Sequence, residues 1–597
     1  MKKQFIYPII LLLISFSAKS QDSTWLTHYE KTNFKETPRY KETIEYSRKL
    51  ARHSEWIHYK TFGESPQNRK LPILIVNKDK KFTPQNINDS GKVTLLVEAC
   101  IHPGEPEGKD AGLMLLRDIA IKKKHTDLLD NITLLFIPIV NVDGHERFGP
   151  YNRINQNGPK EMGWRTTAQN LNLNRDFLKA DAPEMKHWLT MFNKWMPDFF
   201  VDIHTTDGAD YQYPITYAME TFGNMESGLT QWQKDTYLEE IKTDMQQAGY
   251  PIFPYISFRE WHNPESGIVA WAAEPRFSQG YTALHNRPGL LIETHMLKNY
   301  KTRVTATYEM LIKTMEILNK ENQNLNKLIN EADTYTASKA FREKPFPVEF
   351  QATDDSTIVE FKGIEYDKVH SDLTGADWFK YGDKPVTMEV PYFNDIVPSK
   401  TAKLPECYII PPEWISVIER IKLHGIKTYK LKDKKELFVT SSLFTNVNFN
   451  KKPFESRHRI NSFKIKPYQK KETFPEGSVI IPMNQKRARV IAHILEPKSP
   501  DSYIKWGFFN AIFEQKEYAE LYVMEEKARE MLKEDSVLKR KFREKKQNDE
   551  NFANSPWAIS NWFYEKTPYW DEKKNNYPVA KIHDADLFKK LMKEIKQ

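Results

Sequence analysis

Apolar runs that end in histidine or glutamate recur along the first half of the chain. Val93-Thr94-Leu95-Leu96-Val97 is almost continuously apolar, the pattern of a strand covered on both faces. Glu98-Ala99-Cys100-Ile101 leads out of it, and His102-Pro103-Gly104-Glu105 follows, where Pro103 and Gly104 force a turn. From Gly108 to about Lys123, Leu113, Leu116, Ile119 and Ala120 recur at helical spacing. Strand, turn and helix make an α/β unit, and sheets of that kind bind ligands beyond the carboxyl ends of their strands.

The same order returns three times. Ile132–Val140 is a strand pattern that ends in Asn141-Val142-Asp143-Gly144. Pro197–Ile203 is another, ending in His204-Thr205-Thr206-Asp207-Gly208. Gly289-Leu290-Leu291-Ile292 is the last, ending in Glu293-Thr294-His295. His102, His204 and Glu293 are thereby delivered to one end of the expected sheet. His102, Glu105 and His204 form a candidate zinc ligand set, two imidazoles and one carboxylate, which leaves a fourth position open.

In ordered blocks the chain resembles the zinc carboxypeptidase family of the carboxypeptidase A and D type, as a bacterial exported member. His102 to Glu105 is similar to the family's His-x-x-Glu. Asn141-Val142-Asp143-Gly144 resembles its Asn-Pro-Asp-Gly turn, with valine for proline. Arg165 to Arg175, ending Leu173-Asn174-Arg175, resembles its two-arginine block. His204 and Glu293 follow in the family's order, and the likeness spans about residues 40–320.

The resemblance implies an α/β, mixed-sheet catalytic domain and one zinc per chain, held by His102, Glu105 and His204. It implies Glu293 as the general base, Arg165 as the partner of the oxyanion, and Asn174 and Arg175 as the grip on a free C-terminal carboxylate. A zinc-activated water would then hydrolyse the last peptide bond. The partner is a peptide with a free C-terminal carboxylate. Outside this block, Arg165 and Arg175 read as ordinary ion-pair arginines and Glu293 as a solvated strand end.

Asn172 stands where the family has aspartate, keeping an acceptor but no charge. For the family's mobile tyrosine, Tyr281 is the candidate, with Tyr211 and Tyr213 as alternatives. His295 reads as structural, and Glu107 is a rival to Glu105 on chemistry but not on spacing. Asp207 and Asp210 read as turn residues, or as acids that favour a basic substrate side chain.

Met1–Ser20 has the form of a secretory signal: Lys2 and Lys3, a mostly apolar stretch over Phe5–Phe16, and small residues at Ala18 and Ser20. Secretion or a periplasmic location follows as the expectation, without stable membrane insertion once the signal is removed. Its removal takes away three lysines and no acids, so the formal charge falls from +8 to +5. A charge that mild gives no case for nucleic acid. Cys100 and Cys407 are too few for a disulfide scaffold.

With 597 residues there is room for more than one unit. The expected division is a signal over 1–20, a catalytic domain over 21–335 and a mixed α and β region of unassigned role over 336–597. A long helix over Lys301 to about Glu331, a polar linker over Ala332–Pro347, a βαβ-like unit beginning at Cys407–Ile410 and a helix from Gly507 to about Lys533 complete the expectation. The charge-dense run Glu525–Glu550 reads as a solvated face. The reading is an exported zinc metallocarboxypeptidase. Its rivals are a cell-wall stem-peptide peptidase or amidase with the same zinc chemistry, and a peptide-binding protein that has lost catalysis.

Overall fold

The structure is a computed structural model that describes residues 24–88 and 90–596; the expected signal lies outside them. An eight-stranded mixed sheet forms the first half. Its strands are β1 (Ile57–Glu64), β2 (Lys70–Val76), β3 (Val93–Ala99), β4 (Ile132–Ile137), β5 (Phe199–Thr206), β6 (Ile215–Met219), β7 (Ile252–Pro254) and β10 (Gly289–His295), in the order β1-β2-β4-β3-β5-β10-β6-β7. The central strands β4, β3, β5 and β10 run parallel to one another. All seven residues of β3 are buried, as its apolar run requires. Leu95 and Val97 face the helices Glu107–Ala120 and Tyr300–Lys320, while Leu96 faces the helix Pro183–Trp195.

The second of these faces does not stop at the first half. Trp188, Phe192 and Tyr281 share one apolar cluster with Tyr408, Ile410, Val417, Ile491 and Tyr503 from beyond residue 400. Between the halves, β8 (Phe258–Glu260) and β9 (Asn263–Val269) join the long hairpin β12 (Thr357–His370) and β13 (Asp377–Phe393) in a four-stranded sheet. Strands β11 (Phe346–Ala352) and β14 (Ile396–Ala402) pair beside it. The remaining sheet contains β15 (Cys407–Ile410), β16 (Tyr429–Lys430), β17 (Lys435–Phe449), β18 (Ile460–Phe474), β19 (Val479–Pro482) and β20 (Ala580–Ile582), ordered β16-β19-β15-β20-β17-β18. The βαβ-like unit is present as β15, the helix Ile415–Leu423 and β17, with β20 slotted between the two strands.

Three local expectations are corrected. The single helix over 301–331 is two, Tyr300–Lys320 and Asn322–Ala337, broken at Glu321 where ψ turns to 7°. The polar linker is packed structure instead, the end of Asn322–Ala337, the short helix Lys339–Glu343 and the start of β11: Asp333 is buried in an ion pair with Arg287 at 3.2 Å, and Phe341 and Phe346 enter the core. Its polar outer face concealed the few inward side chains. Helix does not begin at Gly507, whose φ of +82° is left-handed and whose side-chain position is closed by the His458 carbonyl at 2.8 Å. The α-helix starts at Leu521, and it and the next, Ser536–Asn548, carry the charge-dense run on a mostly exposed surface.

Candidate active site

Past the end of β3 the chain turns at once: the Glu105 N–H donates to the His102 carbonyl at 2.9 Å. That turn sets both side chains on one side of the loop. Gly104 is required because the Arg153 side chain crosses it, with Cγ 2.7 Å from where a Cβ would stand. His204 comes from within β5, which continues to Thr206 rather than ending before the histidine.

The three residues converge in a buried pocket, with one ligand atom from each lying within 4.8 Å of the others. His204 Nδ1 is 2.9 Å from Glu105 Oε2 and 3.1 Å from His102 Nδ1. The outward nitrogens are held from behind: His102 Nε2 lies 2.9 Å from Asn172 Oδ1, and His204 Nε2 lies 2.8 Å from Asp202 Oδ2. Each Nδ1 is therefore aimed inward. Three lone-pair-bearing atoms this close repel one another unless a proton or a cation lies among them. Two imidazoles, one carboxylate and acceptors behind both rings are the donor set a zinc ion takes.

The field of the carboxylates favours positive charge, a proton or a cation, among these atoms. Burial opposes ionisation of Glu105, yet Arg153 and the two histidines hold its carboxyl well below the usual range. Arg153 Nη2 donates to Glu105 Oε1 at 2.6 Å, and Arg165 Nη1 reaches the same oxygen at 3.3 Å. Burial pushes His102 down to about 4, against the pull of Glu105. His204 is raised despite burial, chiefly by the Asp202 carboxylate. Glu293 stands beside His204 in the β5–β10 register and keeps some exposure. Burial, opposed by the positive field of His204 and reinforced by Glu105, pushes it up to about 8.

Asn174 and Arg175 follow on the same loop as Asn172. The Asn174 N–H donates to Asn172 Oδ1 at 3.0 Å, and its side-chain oxygen accepts the Ser278 N–H at 3.4 Å. Arg175 lies over the Phe277 ring, 4.4 Å from its centroid, and Nη1 donates to the Asn174 carbonyl at 2.7 Å. Among the described residues it has no carboxylate partner. Burial, then Arg165 and Arg276, lower its pKa, against the pull of Glu455 and Glu274.

Tyr281 does not join them. It is fully buried among Phe177, Trp188 and Phe192, and its hydroxyl meets His424 Nδ1 at 2.8 Å. Twelve residues of linear spacing concealed that it sits inside a helix whose apolar side faces the second half. Tyr211 stacks on His295 at 4.1 Å, and the Tyr213 hydroxyl accepts the Lys362 N–H, so both serve structure. Tyr255, like Tyr211, lies in the field of Glu293: burial and then that carboxylate raise its pKa, opposed by a hydrogen bond with Thr206. His295 is paired with Asp210 at 2.8 Å, and Glu107 is held by Arg303 at 2.9 Å, which removes it as a rival to Glu105.

Asp202, Arg153 and Tyr255 escaped the reading of the sequence. Asp202 alone had a usable signal: two residues before His204 on a strand, it must share that histidine's face.

Residues 43–326 match the family model described as zinc carboxypeptidase, a span that includes every residue of this site. The curated relatives include carboxypeptidase 2 of Trichophyton rubrum, 24% identical over 486 residues, covering 78% of this chain and 83% of the relative. Carboxypeptidase 2 of Trichophyton equinum is 24% identical over 489 residues with the same coverage. A crystal structure of a putative carboxypeptidase A from Shewanella denitrificans is 17% identical over 48% of this chain and 69% of its own, with a TM-score of 0.36; a likeness at that level adds nothing to the sequence match.

Proposed function

Because the chain belongs to the zinc carboxypeptidase family, a family of metallopeptidases, we propose that it is an exported carboxypeptidase that removes the C-terminal residue of peptides. The observation that carries this reading is the convergence of His102, Glu105 and His204 with Glu293 alongside in register. The expected signal supports export. Among the described residues, no helix is long and apolar enough to cross a membrane.

His102, Glu105 and His204 would hold one zinc ion. When bound there, zinc polarises the scissile carbonyl and lowers the pKa of water. Glu293, beside His204 in the strand register, accepts the proton that water loses and passes it to the leaving amine. Arg165, on the exposed side of Glu105, donates to the oxygen on which negative charge develops. Arg175 pairs with the substrate's terminal carboxylate through its planar fork, and Asn174 shapes the loop that presents it. Arg153 anchors Glu105 from the other side.

A complete set with Glu293 in place weighs against a peptide-binding protein without catalysis. Metal analysis of the purified protein, with mass spectrometry of matched free-acid and amidated peptides, tests the reading. Zinc near one per chain and release of single C-terminal residues from the free acids are expected. The pairing of a charged terminus is worth about 1.5–3 kcal/mol, so amides should be cleaved at least about tenfold more slowly. Internal cuts yielding two long fragments would instead identify an endopeptidase or a cell-wall amidase.

A further inference from the structure

The site above leaves two opposite charges without an ion-pair partner among the described residues, and one of them comes from outside residues 43–326. Phe454 to Arg457 closes the β17–β18 hairpin, with reciprocal backbone bonds of 2.9 and 3.0 Å between those two residues. Glu455 and Ser456 inside it take left-handed φ values of 49° and 64°. The turn is pinned to the catalytic half at Asp181, which accepts from Arg457 Nε at 2.9 Å and from Arg420 Nη2 at 3.1 Å. Held there, Glu455 Oε2 accepts the Asn172 backbone N–H at 2.9 Å. Asn172 is the residue behind His102, and Arg175 is three positions on.

The other oxygen of Glu455 has no partner among the described residues. Neighbouring charges are already engaged. Arg276 donates to Asp501 at 2.7 Å and to Glu274 at 2.8 Å, Asp181 is occupied as above, and Arg165 is on Glu105. Arg175 and Glu455 remain: opposite in sign, within each other's field, and not joined in an ion pair.

We propose that Glu455 is a specificity-determining residue that receives the cationic side chain of the substrate's last residue, while Arg175 holds that residue's carboxylate. The favoured substrates are peptides whose terminal amino acid carries an amine or guanidinium, whether lysine and arginine of ordinary peptides or a diamino acid of a cell-wall stem peptide. A cationic side chain gains a charge-assisted hydrogen bond at Glu455, an apolar one leaves that carboxylate to solvent, and an acidic one is repelled. The proposal rests on the assignment of Arg175 to the terminal carboxylate.

The test measures kcat/KM of the zinc-loaded full chain on one peptide ending in lysine, leucine or glutamate, each as free acid and amide. A stem peptide ending in a diamino acid is run beside them to distinguish the two sources. Lysine is expected to exceed leucine by about tenfold or more, the factor a single charged contact supplies. Glu455→Gln keeps an acceptor for the Asn172 N–H and should lower the lysine-to-leucine ratio about tenfold, and Glu455→Lys should turn the preference toward glutamate. No lysine preference in the unaltered protein, or an unchanged ratio in Glu455→Gln, overturns the proposal. Equal losses on all three peptides also overturn it, assigning Glu455 to holding the loop alone. The amide arm reads the underlying assignment separately: equal rates on acids and amides remove Arg175 from the terminal carboxylate, whatever the lysine ratio.

Discussion

Glu293 and His204 are register partners on adjacent parallel strands, β10 and β5. Partners in register point to the same face, so a shared hydrogen-bond ladder fixes the distance between expected base and expected ligand. The pair is as rigid as the sheet centre. Glu293→Gln should therefore retain zinc while turnover falls about 10² or more. Zinc content and kcat on the same preparation check this, and near-normal turnover would place the base elsewhere.

Removing a ligand should have the opposite signature. His102→Ala, Glu105→Ala and His204→Ala each delete one of three protein ligands, and most bound metal should be lost. Elemental analysis after dialysis reads it directly. Full occupancy in His204→Ala would refute the ligand set.

Behind the ligands, Asp202 and Asn172 hold the outward nitrogens of His204 and His102. Asp202→Asn should weaken zinc binding about 10–100-fold while the fold is kept. Competition with a chelator measures it. An unchanged affinity would mean the carboxylate does not act on the metal.

The two arginines should separate kinetically. Arg165→Ala is expected to lower kcat about 10²–10³, as loss of an oxyanion donor does. Arg175→Ala should chiefly raise KM, because a terminal carboxylate is already bound in the ground state. Identical defects in both would contradict the division.

A pH effect on stability follows from Glu184, in the first turn of the helix Pro183–Trp195. It is 1% exposed, neither carboxyl oxygen has a hydrogen-bond partner, and burial pushes it up to about 7 from 4.5. The folded state keeps the proton that the unfolded state releases. The stability this gives is complete below about pH 4.5 and is lost as pH rises through about 7. Glu220 and Asp110, which burial raises to about 7 and about 6, add slopes of the same sign. Glu184→Gln should remove the Glu184 share, about 1–3 kcal/mol between pH 5 and 8 at about 1.4 kcal/mol per unit. Denaturant melts across that range test it, and a slope unchanged in Glu184→Gln assigns it wholly to the other groups.

How much of this was legible in the sequence depends on where each residue's signal lies. His102, Glu105, His204 and Glu293 stand at or near the ends of apolar strands, and strand periodicity is local, so they could be found. Asp202 is legible through the same periodicity once His204 is fixed. Arg153 is not, because it lies 48 positions from Glu105 in an irregular stretch after the helix Val142–Glu146 that has no period to read. Tyr281 misled because linear distance to Glu293 says nothing of which helix face turns inward. The linker misled for a related reason: Asp333 looks solvent-seeking, and its pairing with Arg287 and Lys486 makes it a core residue.

The placement of β20 governs the order in which this chain can be assembled. Three residues, Ala580–Ile582, lie between β15 and β17 and bond to both, although they are made about 130 residues after β17 ends. Until they arrive, β16-β19-β15 and β17-β18 are separate ribbons with open edges facing one another. The turn that carries Glu455 belongs to one ribbon, and the apolar cluster shared with Trp188 draws on both, through Ile410 and Ile481 on one side and Phe444 and Ile460 on the other. A chain cut short anywhere before residue 580 would lack the wedge that joins them. Joining the ribbon that carries Glu455 to the β15 ribbon therefore waits for residues 580–582.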